Sequence, residues 1–124
     1  MNEPIRSALR QAQVIDITTV GRKTGEPRRI EIVFHTIGGR IYISGMASPR
    51  RRSWLANLER DPRLTFHLKN AVKVDLAATA RPITDEAERR TIFTEIVKTW
   101  TNQDLETMVA QSPLIEVTFP GLAA

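Results

Sequence analysis

Residues 30–44 have the sequence IEIVFHTIGGRIYIS, which carries the clearest fold signal in the chain. Before a glycine pair, large apolar side chains occupy every second position, at Ile30, Ile32 and Phe34. This period of two is typical of a half-buried β-strand. The pair Gly38-Gly39 suits a type I′ hairpin turn, and the alternation resumes after it at Ile41 and Ile43. The stretch therefore predicts an antiparallel hairpin.

The same alternation recurs in four further segments, at residues 14–20, 64–69, 72–80 and 115–119. Asn70 lies between two of these segments and suits a tight turn. Parallel strands need long crossover connections, and most of the links here are short. Antiparallel strands that close into a barrel also leave no exposed edge. We therefore expect an α+β fold of about six antiparallel strands, closed into a barrel on which two or three helices pack.

Helical spacing follows two cap signals. Ser48-Pro49 suits an N-cap followed by proline at the first helical position, and the apolar stripe after it ends before Pro62. A longer helix is expected to begin after a Thr84 cap and to include Trp100. A third, short helix is predicted over residues 103–110.

The composition excludes several classes of protein. The 124 residues include no cysteine and two histidines, so disulfides and thiol catalysis are excluded and no metal site is expected. No apolar run approaches the roughly 20 residues of a membrane span, and the N-terminus lacks the apolar core of a signal peptide. We expect one cytoplasmic domain over residues 1–124, as a monomer or homodimer, with a helix as one option for residues 1–12.

Positive charge is concentrated in one half of the chain. The net charge is +4, but residues 22–52 hold eight cations and two acids, whereas residues 82–124 hold three cations and seven acids. A basic field attracts anions, which could be nucleic acid, membrane headgroups or a phosphorylated small molecule; the alternative is a solvated surface. Aromatic residues make up only 6%, and no strand shows a stacking ladder, so we expect a small-molecule ligand and no nucleic acid.

The first candidate site is the loop between the first two predicted strands. Two glycines, at positions 21 and 25, allow a tight turn and close approach of a ligand to the backbone. Arg22 and Lys23 between them, followed by Thr24 and then Arg28, supply groups that suit phosphate or carboxylate. The alternative is an ordinary basic hairpin.

The second candidate site follows the third predicted strand, at Ser44, Gly45, Met46 and Ala47. Small side chains at a strand-to-helix connection admit a flat ring, and free N–H groups there bind anions. In the next helix Trp54 and Asn57 are either core and cap residues or ligand contacts. The arginines at 50–52 lie where the helix dipole disfavours cations, so we expect at least one to meet an anionic group; the alternative is that all three face solvent.

No protein nucleophile or acid–base pair stands out. His35 and His67 are predicted on the polar faces of two strands, where a catalytic role is the less common one. The sequence has no GxSxG motif and no triad order. Groups that hold a ligand, without catalytic side chains, suit an enzyme whose cofactor performs the chemistry.

Two signatures resemble the deazaflavin-dependent nitroreductase family. One is DITTVGRKTGEPR at residues 16–28, and the other is SWLANL at residues 53–58 with Asp61-Pro62 after it. The resemblance implies a split β-barrel that binds coenzyme F420, a deazaflavin with a phosphate and an acidic glutamyl tail. It also implies hydride transfer from the reduced deazaflavin to a quinone, nitro compound or enone. Arg52 departs from the pattern, and so does the single tyrosine, Tyr42, since nitroreducing members carry tyrosine after the long helix.

The resemblance also implies cofactor-binding positions. Arg22, Lys23 and Thr24 would meet the phosphate and tail, and the strand after Arg28 would run beside the ligand. The deazaflavin ring would be lined by Ser44, Gly45, Met46 and Ala47, and the site closed by Trp54 and Asn57. Two alternatives remain open from the sequence: the same barrel with FMN, and a non-enzymatic barrel that carries a cofactor or lipid.

Overall fold

The computed structural model describes residues 3–48 and 52–122. The helices are α1 (Glu3–Leu9), α2 (Ser53–Arg60), α3 (Glu86–Ile96) and α4 (Leu105–Gln111). The strands are β1 (Gln13–Val20), β2 (Pro27–Ile37), β3 (Arg40–Ser44), β4 (Arg63–Lys69), β5 (Lys73–Pro82) and β6 (Leu114–Thr118), and a single 3₁₀ turn, Pro120–Leu122, follows β6. No helix in these described ranges has the length and apolar character needed to cross a membrane.

The six strands form a closed antiparallel barrel in the order β1-β2-β3-β6-β5-β4. This confirms the predicted α+β barrel. Gly38 and Gly39 have φ angles of +58° and +79°, as a type I′ turn requires, and they join β2 to β3. Along its length β2 pairs first with β1 and then with β3, so it carries the chain from one wall of the barrel to the next.

The alternating residues fill the barrel. Six side chains from five strands are completely or almost completely inaccessible: Ile15, Ile17, Phe34, Ile43, Phe66 and Ile115. A second apolar cluster lies where α3 and α4 pack, and includes Tyr42, Ile83, Phe93, Ile96, Met108 and Leu114. Because one cluster is inside the barrel and the other covers part of its outer wall, β2 and β3 bury side chains on both faces.

Three predicted helix boundaries were wrong. The N-cap of α2 is Arg52, not Ser48, and Pro49 lies outside the described residues. The cap of α3 is Asp85, not Thr84, because the Asp85 carboxylate accepts a hydrogen bond from the Glu88 N–H at 2.9 Å. Helix α3 ends at Ile96, so Trp100 follows the helix. The predicted short helix near 103–110 is α4, and α1 lies in the N-terminal segment.

Candidate functional site

The connection between β1 and β2, residues 21–26, is a closed loop that we call the 21–26 loop. The Gly21 N–H donates to the Glu26 carbonyl at 2.8 Å, and the Gly25 N–H donates to the Gly21 carbonyl at 2.8 Å. Gly25 has φ +75°, which a residue with a side chain adopts only at a cost. A Cβ atom at Gly21 would lie 2.9 Å from the Glu26 carbonyl oxygen, so the backbone closes directly over this position. Both glycines of the motif are therefore required by the shape of the loop.

Asn57 connects the 21–26 loop to α2 through side-chain hydrogen bonds. Its side-chain oxygen accepts from the Arg22 N–H at 3.1 Å and from the Arg22 guanidinium at 3.0 Å. Its side-chain nitrogen donates to the Thr19 hydroxyl at 3.0 Å. Asn57 is 3% exposed; its bond to Thr19 is buried, and its two bonds to Arg22 are partly buried. The Arg22 guanidinium also donates to the Ser53 carbonyl at 3.4 Å, and the loop is thereby held against the first turn of α2.

A cleft of about 400 Å³ lies between this loop, the start of β2 and α2. We call it the 21–57 cleft. Its lining residues come from these three parts and from the end of β1: Thr19, Gly21, Arg22, Lys23, Thr24, Arg28, Arg29, Ile30, Ser53, Trp54 and Asn57. Four of these are cations and none is acidic. The cleft therefore suits an anionic ligand.

The cations of the cleft differ in how they are engaged. Arg22 is bonded to Asn57 and Ser53, and Arg29 donates to the Asp16 carboxylate at 2.9 Å. Arg28 lies 3.7 Å from Glu26 in an exposed ion pair. Among the described residues nothing pairs with the Lys23 ammonium, and no intramolecular bond engages the Lys23 or Thr24 N–H. Lys23 and the adjacent backbone are thus the groups left to meet a ligand.

The structure brings six of the ten predicted site residues to this cleft: Arg22, Lys23, Thr24, Arg28, Trp54 and Asn57. The other four, Ser44, Gly45, Met46 and Ala47, do not line it. Ser44 is 1% exposed, and its hydroxyl donates a hydrogen bond to the Pro113 carbonyl at 2.7 Å. The hydroxyl therefore bonds within the fold and not to a ligand. The Met46 side chain is 61% exposed.

Besides Gly21, which the loop motif already included, four lining residues of the cleft were not predicted as site residues: Thr19, Arg29, Ile30 and Ser53. The sequence could have indicated Thr19, since it is a polar residue in register with the buried Ile15 and Ile17.

Of the three arginines predicted to meet an anionic group, those at 50 and 51 lie outside the described residues. The Arg52 guanidinium donates to the Met46 carbonyl at 2.7 Å, so it holds the strand-to-helix connection rather than facing solvent.

Both histidines are buried, although each lies on the strand face predicted to be polar. His35 is 5% exposed and packs edge-on against Trp100, with ring centroids 4.8 Å apart. Burial lowers the pKa of His35 below its ordinary value. His67 is 6% exposed and bonds to Thr18 and to Asp75, each at 2.7 Å. Within residues 3–48 and 52–122 no group of three acidic or histidine side chains is placed to hold a metal ion.

Comparison with known proteins identifies relatives of this barrel. The sequence profile of the F420H(2)-dependent quinone reductase family matches residues 2–118. A conserved hypothetical protein from Mycobacterium tuberculosis superposes with a TM-score of 0.72 at 16% identity, over 97% of this chain and 81% of that one. General Stress Protein 26 from Bacillus anthracis gives 0.67 at 15% identity, over 94% and 87%. An F420-H2 dependent reductase, FDR-A, gives 0.62 at 21% identity, over 85% and 93%.

Proposed function

Because the chain belongs to the F420H(2)-dependent quinone reductase family, we propose that it passes a hydride from reduced F420 to a small unsaturated acceptor. The chain is an F420-dependent reductase by family membership, and the proposal concerns the acceptor and the residues. The acceptor class is a quinone, a nitro compound or an enone. The observation that carries the residue assignment is the unpaired Lys23 ammonium in a cleft with four cations and no acid.

The 21–57 cleft fits the anionic part of the cofactor. A phosphate needs N–H donors and positive charge at close range, and the loop offers the Lys23 ammonium beside two unengaged N–H groups. Gly21 leaves the base of the loop without a side chain. A Cβ atom there would lie 2.9 Å from the Glu26 carbonyl oxygen, which is closer than the loop allows. We assign the phosphate to Lys23 and Thr24, and the acidic tail to Arg28.

Arg22 and Asn57 serve a different purpose from Lys23 in this proposal. The Arg22 guanidinium and N–H are both used in bonds to α2, so Arg22 shapes the loop and adds positive charge from behind it. Both side-chain atoms of Asn57 are bonded within the fold, the oxygen to Arg22 and the nitrogen to Thr19, and Asn57 makes its contribution through these residues. Both are positioning residues for the anion site.

The ring of the cofactor needs an apolar neighbour. We place it beside the connection formed by Gly45, Met46 and Ala47. Met46 is the most exposed large apolar side chain of the described residues, and its carbonyl is fixed by Arg52 at 2.7 Å. A flexible thioether that packs on a ring face is a favourable contact. Ser44 takes part through its backbone only, because its hydroxyl is bonded to Pro113.

When bound, reduced F420 supplies the hydride, so the protein needs neither a nucleophile nor a metal. The chain binds the anionic groups, positions the ring and holds the acceptor. Its buried histidines are engaged in packing or in hydrogen bonds to Thr18 and Asp75, which is consistent with roles in the fold. Turnover is therefore expected to survive EDTA and serine-directed reagents, and loss of activity with EDTA that a divalent ion restores would contradict the proposal.

Titration of the purified protein with F420 and with FMN, under identical salt, tests the cofactor. F420 is expected to bind more tightly than FMN, and the reverse order would favour a flavin barrel. Oxidation of F420H2 is then followed with menadione, a nitrofuran and cyclohexenone as acceptors. Tight F420 binding without oxidation by any of the three would favour a cofactor carrier over a reductase.

A further inference from the structure

A second cleft of about 510 Å³ lies against a different face of α2. It is lined by α2, by residues 82–84 at the end of β5, and by residues 110–114 between α4 and β6. We call it the α2–β6 cleft. It has no lining residue in common with the 21–57 cleft. Its apolar wall includes Leu55, Ile83 and Pro113, and its volume is within the range of small-molecule sites.

Ser112 lines this cleft and carries a buried hydroxyl without a partner. The residue is 3% exposed, and its backbone N–H donates to the Met108 carbonyl at 2.9 Å at the end of α4. Its side-chain oxygen is buried and makes no hydrogen bond. Buried polar atoms are almost always paired, so an unpaired one beside a cleft calls for an explanation. Because a serine hydroxyl turns about a single bond, this one can donate into the cleft.

Arg52 also lines this cleft, and it carries a second unpaired polar atom. One terminal nitrogen of its guanidinium donates to the Met46 carbonyl at 2.7 Å, whereas its Nε is buried and has no partner. Arginine nitrogens are donors only. The missing partner of Nε is therefore an acceptor, and a carboxylate oxygen is one that also matches the positive charge of the guanidinium.

The charge of the cleft favours an anion. Arg89 donates to four backbone carbonyls, those of Ile83, Met108, Val109 and Ser112, and to no carboxylate of residues 3–48 and 52–122. Burial of this guanidinium lowers the pKa of Arg89, as expected for a cation whose partners are neutral. The cleft thus has two guanidinium groups, from Arg52 and Arg89, and one carboxylate, from Glu59.

We infer that the α2–β6 cleft binds a small carboxylate with an apolar body, such as an aromatic acid. The carboxylate accepts hydrogen bonds from Ser112 and Arg52 and offsets the charge of Arg89. Its ring lies on the wall formed by Leu55, Ile83 and Pro113. This site shares no lining residue with the 21–57 cleft and does not depend on the proposed reductase function, although Arg52 also bonds to Met46 of the connection where the ring is placed.

The test uses benzoate as the probe and benzamide as its neutral counterpart, with binding measured by calorimetry and by amide chemical shifts. Benzoate is expected to bind at least about tenfold more tightly than benzamide, since a charge-assisted bond is roughly twice as strong as a neutral one. Shifts are expected at residues 110–114 and not in the 21–26 loop. Equal affinity for the two probes, or no binding of benzoate, would overturn the inference.

Two variants and a control separate binding from folding. Ser112→Ala removes a hydroxyl that has no partner, so the melting temperature is expected to stay the same while benzoate binding weakens about tenfold. Arg52→Lys keeps the charge and a donor for Met46 but loses the Nε–H, and it is expected to weaken benzoate binding as well. Ser7→Ala on α1, an exposed position, is the matched control and should change neither quantity. Unchanged benzoate binding in both cleft variants would contradict the assignment.

A carboxylate could also come from the glutamyl tail of F420, so the titration is repeated with F420-saturated protein. Benzoate affinity is expected to stay within about twofold of the value without F420, because the phosphate and tail are placed in the 21–57 cleft and the ring on Met46, and none of these positions lines the α2–β6 cleft. Displacement of benzoate by F420 would show that the α2–β6 cleft belongs to the cofactor and would overturn a separate site. The same experiment measures F420 binding. A failure of the proposed F420 site is therefore distinguished from a failure of the proposed benzoate site.

Discussion

The side-chain oxygen of Asn57 accepts hydrogen bonds from both the backbone and the guanidinium of Arg22, at 3.1 and 3.0 Å. The two residues are 35 positions apart in the chain, and the contact joins the loop between β1 and β2 to the helix that follows β3. Among the signature residues of α2, Asn57 is the one that bonds to the backbone of the 21–26 loop. It therefore holds this loop against the helix. Its side-chain oxygen accepts two hydrogen bonds from Arg22, so we expect its effect on a ligand to pass through Arg22.

Asn57→Ala is expected to loosen the loop and weaken F420 binding by about tenfold. The substitution leaves the Thr19 hydroxyl and the Arg22 N–H without a buried partner, which costs about 1–3 kcal/mol of the free energy of unfolding. Denaturant unfolding measures this cost, and hydrogen exchange of the Arg22 N–H reports on the contact. Asn57→Asp retains the acceptor for Arg22, so it should be more stable than the alanine variant. The exposed Asn102→Ala serves as control.

Lys23→Ala is expected to weaken F420 binding by about tenfold to 150-fold. Its ammonium is the unpaired cation of the cleft, and a charge-assisted contact contributes roughly 1.5–3 kcal/mol. Stability should stay the same because no intramolecular bond is lost. Lys73→Ala, also exposed and located at the opposite end of the barrel, is the matched control. Equal dissociation constants for the two variants would refute the assignment of the phosphate to Lys23.

Alternation in the sequence predicted the barrel because each strand has one face that must be buried. Ile15 and Ile17 in β1 and Phe34 in β2 are all completely buried inside it. The same pattern led to the wrong prediction that His35 lies on a polar face, whereas it is buried. A period of two shows which residues share one face of a strand, but it does not show what packs on the opposite face. Helices α3 and α4 cover that face, and the ring of Trp100 lies against His35.

The candidate site was predictable only in part, for a similar reason. The residues of the 21–26 loop are consecutive, so the motif itself indicated an anion site. The role of Asn57 depends on a contact between distant segments, and the alternatives of ligand contact and structural residue could not be separated from spacing. Ser44 was predicted to line the ring, but its hydroxyl bonds to Pro113, 69 positions away.

Ser44→Ala is expected to lower stability and leave F420 affinity within about twofold. The hydroxyl donates to the Pro113 carbonyl at 2.7 Å in a fully buried setting, and its loss leaves that carbonyl unpaired, at a cost of about 1–3 kcal/mol. Chemical denaturation and fluorescence titration measure the two quantities. A large loss of F420 affinity at unchanged stability would instead place this hydroxyl against the cofactor.

Gly21→Ala is expected to distort the 21–26 loop and weaken F420 binding by about tenfold. The new Cβ would lie 2.9 Å from the Glu26 carbonyl oxygen, and that oxygen is backbone held by the Gly21 N–H, so it cannot retreat alone. Gly25→Ala introduces no clash, but the loop then holds an alanine at a positive φ angle, which costs roughly 1–2 kcal/mol of the free energy of unfolding. Gly121→Ala, with no atom within 4 Å and no positive φ, is the control. Wild-type affinity in the Gly21 variant would mean that the loop does not shape the anion site.

The final prediction concerns the pH dependence of stability and rests on His35. Burial lowers the pKa of His35, its Nε2 has no hydrogen-bond partner, and its ring packs edge-on against Trp100. In the unfolded chain this histidine takes up a proton near pH 6.5, whereas the folded protein resists protonation to a lower pH. The unfolded state then binds more protons, so the free energy of unfolding decreases as pH falls below about 6.5.

His35→Phe removes this titration and keeps an aromatic ring against Trp100. The free energy of unfolding of the variant should therefore change less between pH 7 and pH 5 than that of the parent, and the difference in slope cannot exceed about 1.4 kcal/mol per pH unit for one proton. Urea unfolding at intervals of half a pH unit measures both slopes. Lys73→Ala, which does not titrate in this range, should follow the parent. Parallel slopes for the parent and His35→Phe would show that His35 is protonated equally in the folded and unfolded states.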